Sequence, residues 1–130
     1  MARSDVNPWE WSKAFGFSQA VALSNPGQLL ICAGQTAIGE DGLPPTATDM
    51  GDQVRTAFAN LATVLRSAGL APTDVVRLNY YTTDVDELVS VLGPIAGEFL
   101  GGTLPASTLV GVTRLAYPQL KVEIEAIAAR

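Results

Sequence analysis

Two carboxylates near the end of the chain have a spacing that acid–base chemistry can use. Glu123 and Glu125 alternate with Val122, Ile124 and Ala126. On a β-strand this alternation places both carboxylates on one face, about 6.6–6.8 Å apart along the strand. One interpretation is the solvated outer face of a sheet. The other is a carboxylate at a seam between subunits, where burial raises its pKa and lets it transfer protons near neutral pH.

Further groups along the chain have the chemistry to bind or react. Ser107 and Thr108 open a predicted strand and are either ordinary strand residues or hydroxyl donors to a ligand carboxylate. Cys32 lies in an apolar run with no adjacent base, which predicts a buried structural thiol. Arg77 and Arg114 are potential partners for anions. Aromatic rings near the N-terminus are expected to pack at a sheet edge or an interface, or to line a ligand pocket: Trp9, Trp11, Phe15 and Phe17.

The composition limits which chemistry is available. The chain has 130 residues, of which 48% are hydrophobic and 16% charged, which predicts one globular domain over residues 1–130. It has no histidine and one cysteine, so Ser-His-Asp catalysis, His/Cys zinc sites and internal disulfides are excluded. The formal net charge of -5 argues against a nucleic-acid partner. We therefore expect no metal or other cofactor.

The termini and apolar runs give expectations about location. The start of the chain has no apolar signal core, and no apolar run approaches the ~18 residues that span a membrane. We therefore expect a cytoplasmic protein with no membrane partner.

The predicted elements follow the order ββαβαββ. Strands are predicted over residues 17–23, 29–34, 75–82, 106–113 and 120–128, and helices over 48–68 and 84–100. The first helix carries one apolar stripe and is capped by Thr48 or Asp49, whereas Gly93-Pro94 is expected to break or kink the second. Two helices on one face of a mixed, mostly antiparallel sheet make a two-layer α+β fold. Several strands are apolar on both faces, which predicts a homo-oligomer.

Four segments resemble the YjgF/RidA family, also known as the L-PSP endoribonuclease family. They are residues 16–21, residues 29–35 ending in Ala-Gly-Gln, residues 60–73, and Pro-Ala-Ser-Thr at 105–108 with Val-Glu-Ile-Glu-Ala-Ile-Ala at 122–128. The resemblance implies a chorismate-mutase-like α+β subunit and a homotrimer with small-molecule pockets between subunits. It also implies cofactor-free hydrolysis of enamines and imines to keto acids and ammonia, in which an arginine holds the substrate carboxylate and a glutamate positions water.

The resemblance is carried over residue by residue and shows three departures. Glu123 matches the water-positioning glutamate and Gly34 the pocket-lining glycine, but Ala33 stands where the family has serine and Phe17 where it has tyrosine. Ser107 stands where the family has the substrate-binding arginine. A charge-assisted Arg–carboxylate contact is worth about 1.5–3 kcal/mol, and serine offers one neutral donor in its place.

We therefore predict a RidA-like trimeric hydrolase whose small imine or enamine substrate differs from the usual 2-imino acids. Glu123 would activate water, and Arg114 or Lys121 are alternative sources of the missing positive charge. The alternative is a non-catalytic metabolite-binding or regulatory protein of the same fold, while a pI of about 4.5 and the lack of histidine disfavour a ribonuclease. The predicted substrate-binding residues are Ser107, Thr108, Gly34, Phe17, Ala33 and Tyr81.

Overall fold

The computed structural model describes residues 1–130 and contains six strands and three α-helices. In chain order they are β1 (Ala2–Val6), α1 (Trp11–Ala14), β2 (Ala20–Ser24), β3 (Leu29–Ile31), α2 (Met50–Ser67), β4 (Val75–Thr82), α3 (Val85–Leu100), β5 (Ala106–Gly111) and β6 (Val122–Ala129). A single 3-10 turn, Pro72–Asp74, leads into β4. None of the helices combines the length and apolar character that crossing a membrane requires.

The sheet topology confirms the predicted mixed, mostly antiparallel α+β fold and corrects one detail. Four strands form one sheet in the order β3-β6-β4-β5, with β4 and β5 parallel and the other pairs antiparallel. The strands β1 and β2 form a separate antiparallel pair, so there are two sheets where one was expected. A bridge between Ser18 and Ala106 connects the end of this pair to the edge of the larger sheet.

The helices α2 and α3 cover one face of the four-stranded sheet. Asp49 is the N-cap of helix α2, and its carboxylate accepts a hydrogen bond from the N–H of Asp52 at 2.9 Å. The fully buried side chains of this layer come from the helix stripe and from alternate strand positions: Val54, Leu61, Leu65, Leu78, Leu88, Val122 and Ile124. This alternation leaves Glu123 and Glu125 half-buried on the opposite face of β6.

Gly93-Pro94 was predicted to break or kink the second helix, and the break does not occur. Helix α3 runs without interruption from Val85 to Leu100, although Pro94 has no N–H to donate to the preceding turn. Leu88 and Leu100 lie on either side of Pro94 and both are buried in the core. Packing along the whole helix therefore outweighs the loss of one backbone hydrogen bond.

Several predicted strand boundaries were wrong, and two elements were missed. The strand predicted over 17–23 covers Ala20–Ser24, and the one predicted over 29–34 ends at Ile31. The last two strands end at Gly111 and begin at Val122, which shortens both predictions. The elements β1 and α1 were not predicted because their residues are mostly exposed and carry no apolar periodicity.

Candidate functional site

The carboxylate of Glu123 lies directly against Gly34. Strand β6 places Glu123 on the outer face of the sheet, where it pairs with Tyr81 of β4. A Cβ atom built on Gly34 would lie 2.7 Å from Cδ and 2.9 Å from Cγ of Glu123, and would overlap its Oε2. Glycine is therefore the one residue at position 34 that leaves Glu123 in this position.

Ala33 and Gly34 form a β-bulge beside this carboxylate. Cys32 and Gln35 donate their N–H groups, at 2.9 and 2.7 Å, to two β6 carbonyls that are only two residues apart. Ala33 and Gly34 thus occupy the space of one residue, an irregularity that redirects backbone groups. Neither of their N–H groups makes a hydrogen bond within the chain, so two backbone donors are available to a ligand. No hydroxyl is present here, because position 33 is alanine.

The neighbouring Glu125 is held by two donors from β4. The Tyr81 hydroxyl and the Asn79 amide donate to its Oε1 at 2.5 and 2.9 Å. Both hydrogen bonds lower the pKa of Glu125, and the bond from Tyr81 is the larger cause. The hydrogen bond to Glu125 also raises the pKa of Tyr81. The raised pKa predicted for a carboxylate at a subunit seam depends on burial by a second copy of the chain, and it stays a prediction. Tyr81, one of the predicted substrate-binding residues, thus donates its hydroxyl proton to Glu125.

Phe17 lies apart from Glu123 and Gly34, in the wall of a cavity of about 680 Å³ between α1, α3 and β5. The ring of Trp11 meets Phe17 edge-on, with 5.7 Å between centroids, and meets Phe15 at 6.2 Å. All three rings line the cavity, whereas Trp9 does not. The aromatic cluster was expected to pack at a sheet edge or an interface, or to line a pocket. These three rings line a pocket.

Ser107 and Thr108 also line this cavity, from opposite faces of β5. Ser107 pairs with the buried Leu78 and so faces the helices. Its hydroxyl donates to the carbonyl of Pro105 at 3.1 Å, which uses its only proton. Thr108 faces the outer side, where its hydroxyl oxygen accepts a hydrogen bond from Nη2 of Arg77 at 2.6 Å. Its proton remains available to a ligand.

The predicted site residues therefore fall into two groups within one chain. Gly34, Glu123 and Tyr81 lie on the outer sheet face, and none of them lines the cavity that holds Phe17 and Ser107. Glu123 and Ser107 lie on opposite faces of the sheet, and β4 lies between their strands β6 and β5. The predicted pocket lies between subunits, so its combination of Ser107 with Glu123 stays a prediction.

The two side chains considered as replacements for the missing arginine lie elsewhere. Nζ of Lys121 is 2.8 Å from a carboxylate oxygen of Glu87, in an ion pair that joins the residue before β6 to α3. Arg114 is exposed in the loop after β5, and neither residue lines the cavity. Sequence reasoning overlooked Asn79, although its alternation with Arg77 and Tyr81 on β4 places all three on the face of Glu123.

The cysteine is buried, and the acidic side chains form no metal-binding cluster. Cys32 is 7% exposed, and burial raises its pKa, as a structural thiol requires. No three side chains among the Cys, Asp and Glu residues come together as a group that could hold a metal ion.

The fold and these two groups of residues define the class of the protein: a small α+β subunit with helices over one sheet face and a glycine–glutamate contact on the other. A family model described as Endoribonuclease L-PSP matches residues 10–130. The chain belongs to this family, the YjgF/RidA family.

Relatives and solved structures agree with this assignment. The protein mmf2, mitochondrial, of Schizosaccharomyces pombe is 31% identical over 131 residues, with 99% of each chain covered. A 2-iminobutanoate/2-iminopropanoate deaminase of Salmonella typhimurium is 30% identical over 106 residues, covering 80% of this chain and 81% of that one. The crystal structure of YyfB, a Rid-family protein of unknown function from Yersinia pestis, has a TM-score of 0.88 at 37% identity and covers 100% of both chains.

Proposed function

We propose that this protein is a RidA-like trimeric hydrolase that deaminates a small imine or enamine and releases ammonia. The observation that supports the proposal most is the contact between Glu123 and Gly34, with the two free backbone donors at Ala33 and Gly34. A carboxylate and free N–H groups at one point are the parts needed to activate water and hold a polar substrate atom.

The proposed reaction is hydrolysis of a C=N bond. Glu123 takes a proton from water as the water oxygen attacks the imine carbon, and a carbinolamine forms. The carboxyl group returns this proton to the imine nitrogen, which completes the carbinolamine. It then transfers the proton of the new hydroxyl group to the amino nitrogen as the C–N bond breaks, and a carbonyl compound and ammonia leave. An enamine substrate first takes up a proton on carbon to become the imine. No cofactor takes part.

In this proposal the active site is completed by a second copy of the chain. Glu123 and Gly34 lie on the outer sheet face, away from the cavity of the same chain. In the proposed assembly, the Glu123 carboxylate of one subunit therefore meets the cavity of another. The outer face also exposes apolar side chains: Leu29 is 56% exposed, Ile31 73% and Val110 41%. Covering such a face is a strong drive for association, and we propose a homotrimer with the site at each seam.

The direct test is ammonia release from a panel of imines and enamines. We expect Glu123→Gln to reduce turnover at least 100-fold, because the amide takes no proton from water. Glu98→Gln is the matched control, since Glu98 is exposed on α3 and makes no hydrogen bond or ion pair. Equal turnover in Glu123→Gln and Glu98→Gln would contradict the proposal.

A second candidate is a non-catalytic protein that binds a small metabolite in the same pocket. The observation that favours it is the Ser107 hydroxyl, which is bonded to Pro105 and offers no charge to a substrate. It predicts ligand binding that persists in Glu123→Ala, with no ammonia released by the wild type. Turnover that is lost in Glu123→Ala would rule it out.

A further inference from the structure

The cavity beside β5 has the size and walls of a small-molecule site. Its volume of about 680 Å³ lies within the range of ligand pockets. Trp11 and Phe17 form one wall, Leu92 and Ala96 of α3 another, and Tyr80 and Leu109 the floor. These are rigid, apolar surfaces that suit an aromatic or branched aliphatic body.

Helix α3 contributes to this space through two glycines, one turn apart. Gly93 and Gly97 both line the cavity, and a Cβ atom at either would meet nothing within 4 Å. Their φ angles are not positive, so the backbone accepts any side chain there. The free volume thus arises from missing side chains, and a larger residue at these positions can fill it.

The cavity lacks a free cation. Its one charged lining residue is Lys13, whose Nζ is paired with Glu10 at 2.8 Å near the surface. Arg77 does not line the cavity and is bonded to Thr108 from the outer face. Burial raises the pKa of Tyr80, so its hydroxyl stays neutral. A ligand carboxylate here would find only Lys13, which is already paired with Glu10, and the Glu10 carboxylate would repel it, so its desolvation would be poorly compensated.

From these walls and this charge distribution we propose that the cavity binds an uncharged ligand with an aromatic or branched aliphatic body and no carboxylate. That the ligand is an imine rests on the proposed function. The substrate class is then R–CH=NH without a carboxylate, as formed by oxidation of an amine. Its hydrolysis is R–CH=NH + H₂O → R–CHO + NH₃.

The test compares two probes with the same ring system, 2-naphthylmethanol and 2-naphthoate, by calorimetric titration of the full-length protein. We expect wild type to bind the alcohol at least tenfold more tightly than the carboxylate. Gly97→Leu should weaken binding of the alcohol at least tenfold by filling the cavity. Glu98→Leu, which adds the same side chain at the next, non-lining position of α3, should leave it unchanged.

A second variant keeps the proposal testable if Gly97→Leu does not fold. Ser107→Arg places a guanidinium at the cavity and should reverse the preference toward 2-naphthoate. Wild-type binding of 2-naphthoate as tight as that of the alcohol would overturn the proposal, as would alcohol binding that survives Gly97→Leu. Alcohol binding by a protein that releases no ammonia from any imine would overturn the proposed function alone.

Discussion

Replacing Gly34 with alanine should damage activity far more than stability. The new methyl group would lie 2.7 and 2.9 Å from Cδ and Cγ of Glu123, so the carboxylate must rotate away. An off-rotamer side chain costs about 0.5–1.5 kcal/mol. Gly34 does not have a positive φ, and the stiffer unfolded chain returns about 0.4–1 kcal/mol. The net change in unfolding free energy should stay within about 1 kcal/mol, equivalent to about 4 °C in Tm.

The rate should respond much more strongly, because a catalytic group displaced by about 1 Å loses about 100-fold in rate. Ammonia release measures this loss, and thermal denaturation measures the stability. Gly27→Ala is the control, since its Cβ would meet only the Arg130 carbonyl at 3.4 Å. An unchanged rate in Gly34→Ala would refute the reasoning.

The contact itself can be measured without any activity. Glu123→Ala removes the carboxylate that a methyl group at position 34 would strike. A double-mutant cycle of Gly34→Ala and Glu123→Ala on thermal stability should therefore give a coupling free energy of about 0.5–1.5 kcal/mol. A Gly34→Ala effect that is the same in both backgrounds would show that the two residues are not in contact.

Three more predictions concern the framework of the site. Hydrogen bonds from β4 lower the pKa of Glu125, so the stability they contribute is present above its unfolded pKa and is lost as pH falls through the folded one. Tyr81→Phe should therefore destabilise the protein at pH 7, and in urea titrations the destabilisation should shrink as pH falls through the folded-state pKa of Glu125. Gln53 is buried and bonded to two carbonyls and to the Lys121 N–H, so Gln53→Ala should cost about 2–4 kcal/mol in the same assay. Ile31→Asp on the outer face should yield a 13.6 kDa monomer in sedimentation, and an intact trimer would count against the proposed interface.

The parts of the fold that were predictable are those with a strong apolar period. The stripe of α2 and the alternation in β6 identified both elements, because each buries one face in the core. The predicted break at Pro94 did not occur. The prediction considered only the backbone hydrogen bond that proline removes, whereas packing on both sides of Pro94 holds the helix. The pair β1 and β2 was not predicted, since β1 is mostly exposed and has no apolar periodicity.

The sequence supplied Glu123 and Gly34 as candidate residues, but it did not supply their contact. The motif around Val122–Glu125 identified Glu123, and the Ala33-Gly34-Gln35 match identified Gly34. Their close contact arises from a bulge that no periodicity reveals. The separation of Ser107 from Glu123 depends on the order of strands in the sheet, with β4 between them, which the linear sequence does not contain.

The most direct test of the account is complementation between two inactive variants. Glu123→Gln lacks the proposed base, and Gly97→Leu has a filled cavity, so each alone should release almost no ammonia. If a site combines Glu123 of one subunit with the cavity of another, trimers refolded from an equal mixture contain both intact parts at about a quarter of their sites. The account predicts recovery of about a quarter of wild-type activity in the mixture. A mixture as inactive as its two components would contradict it.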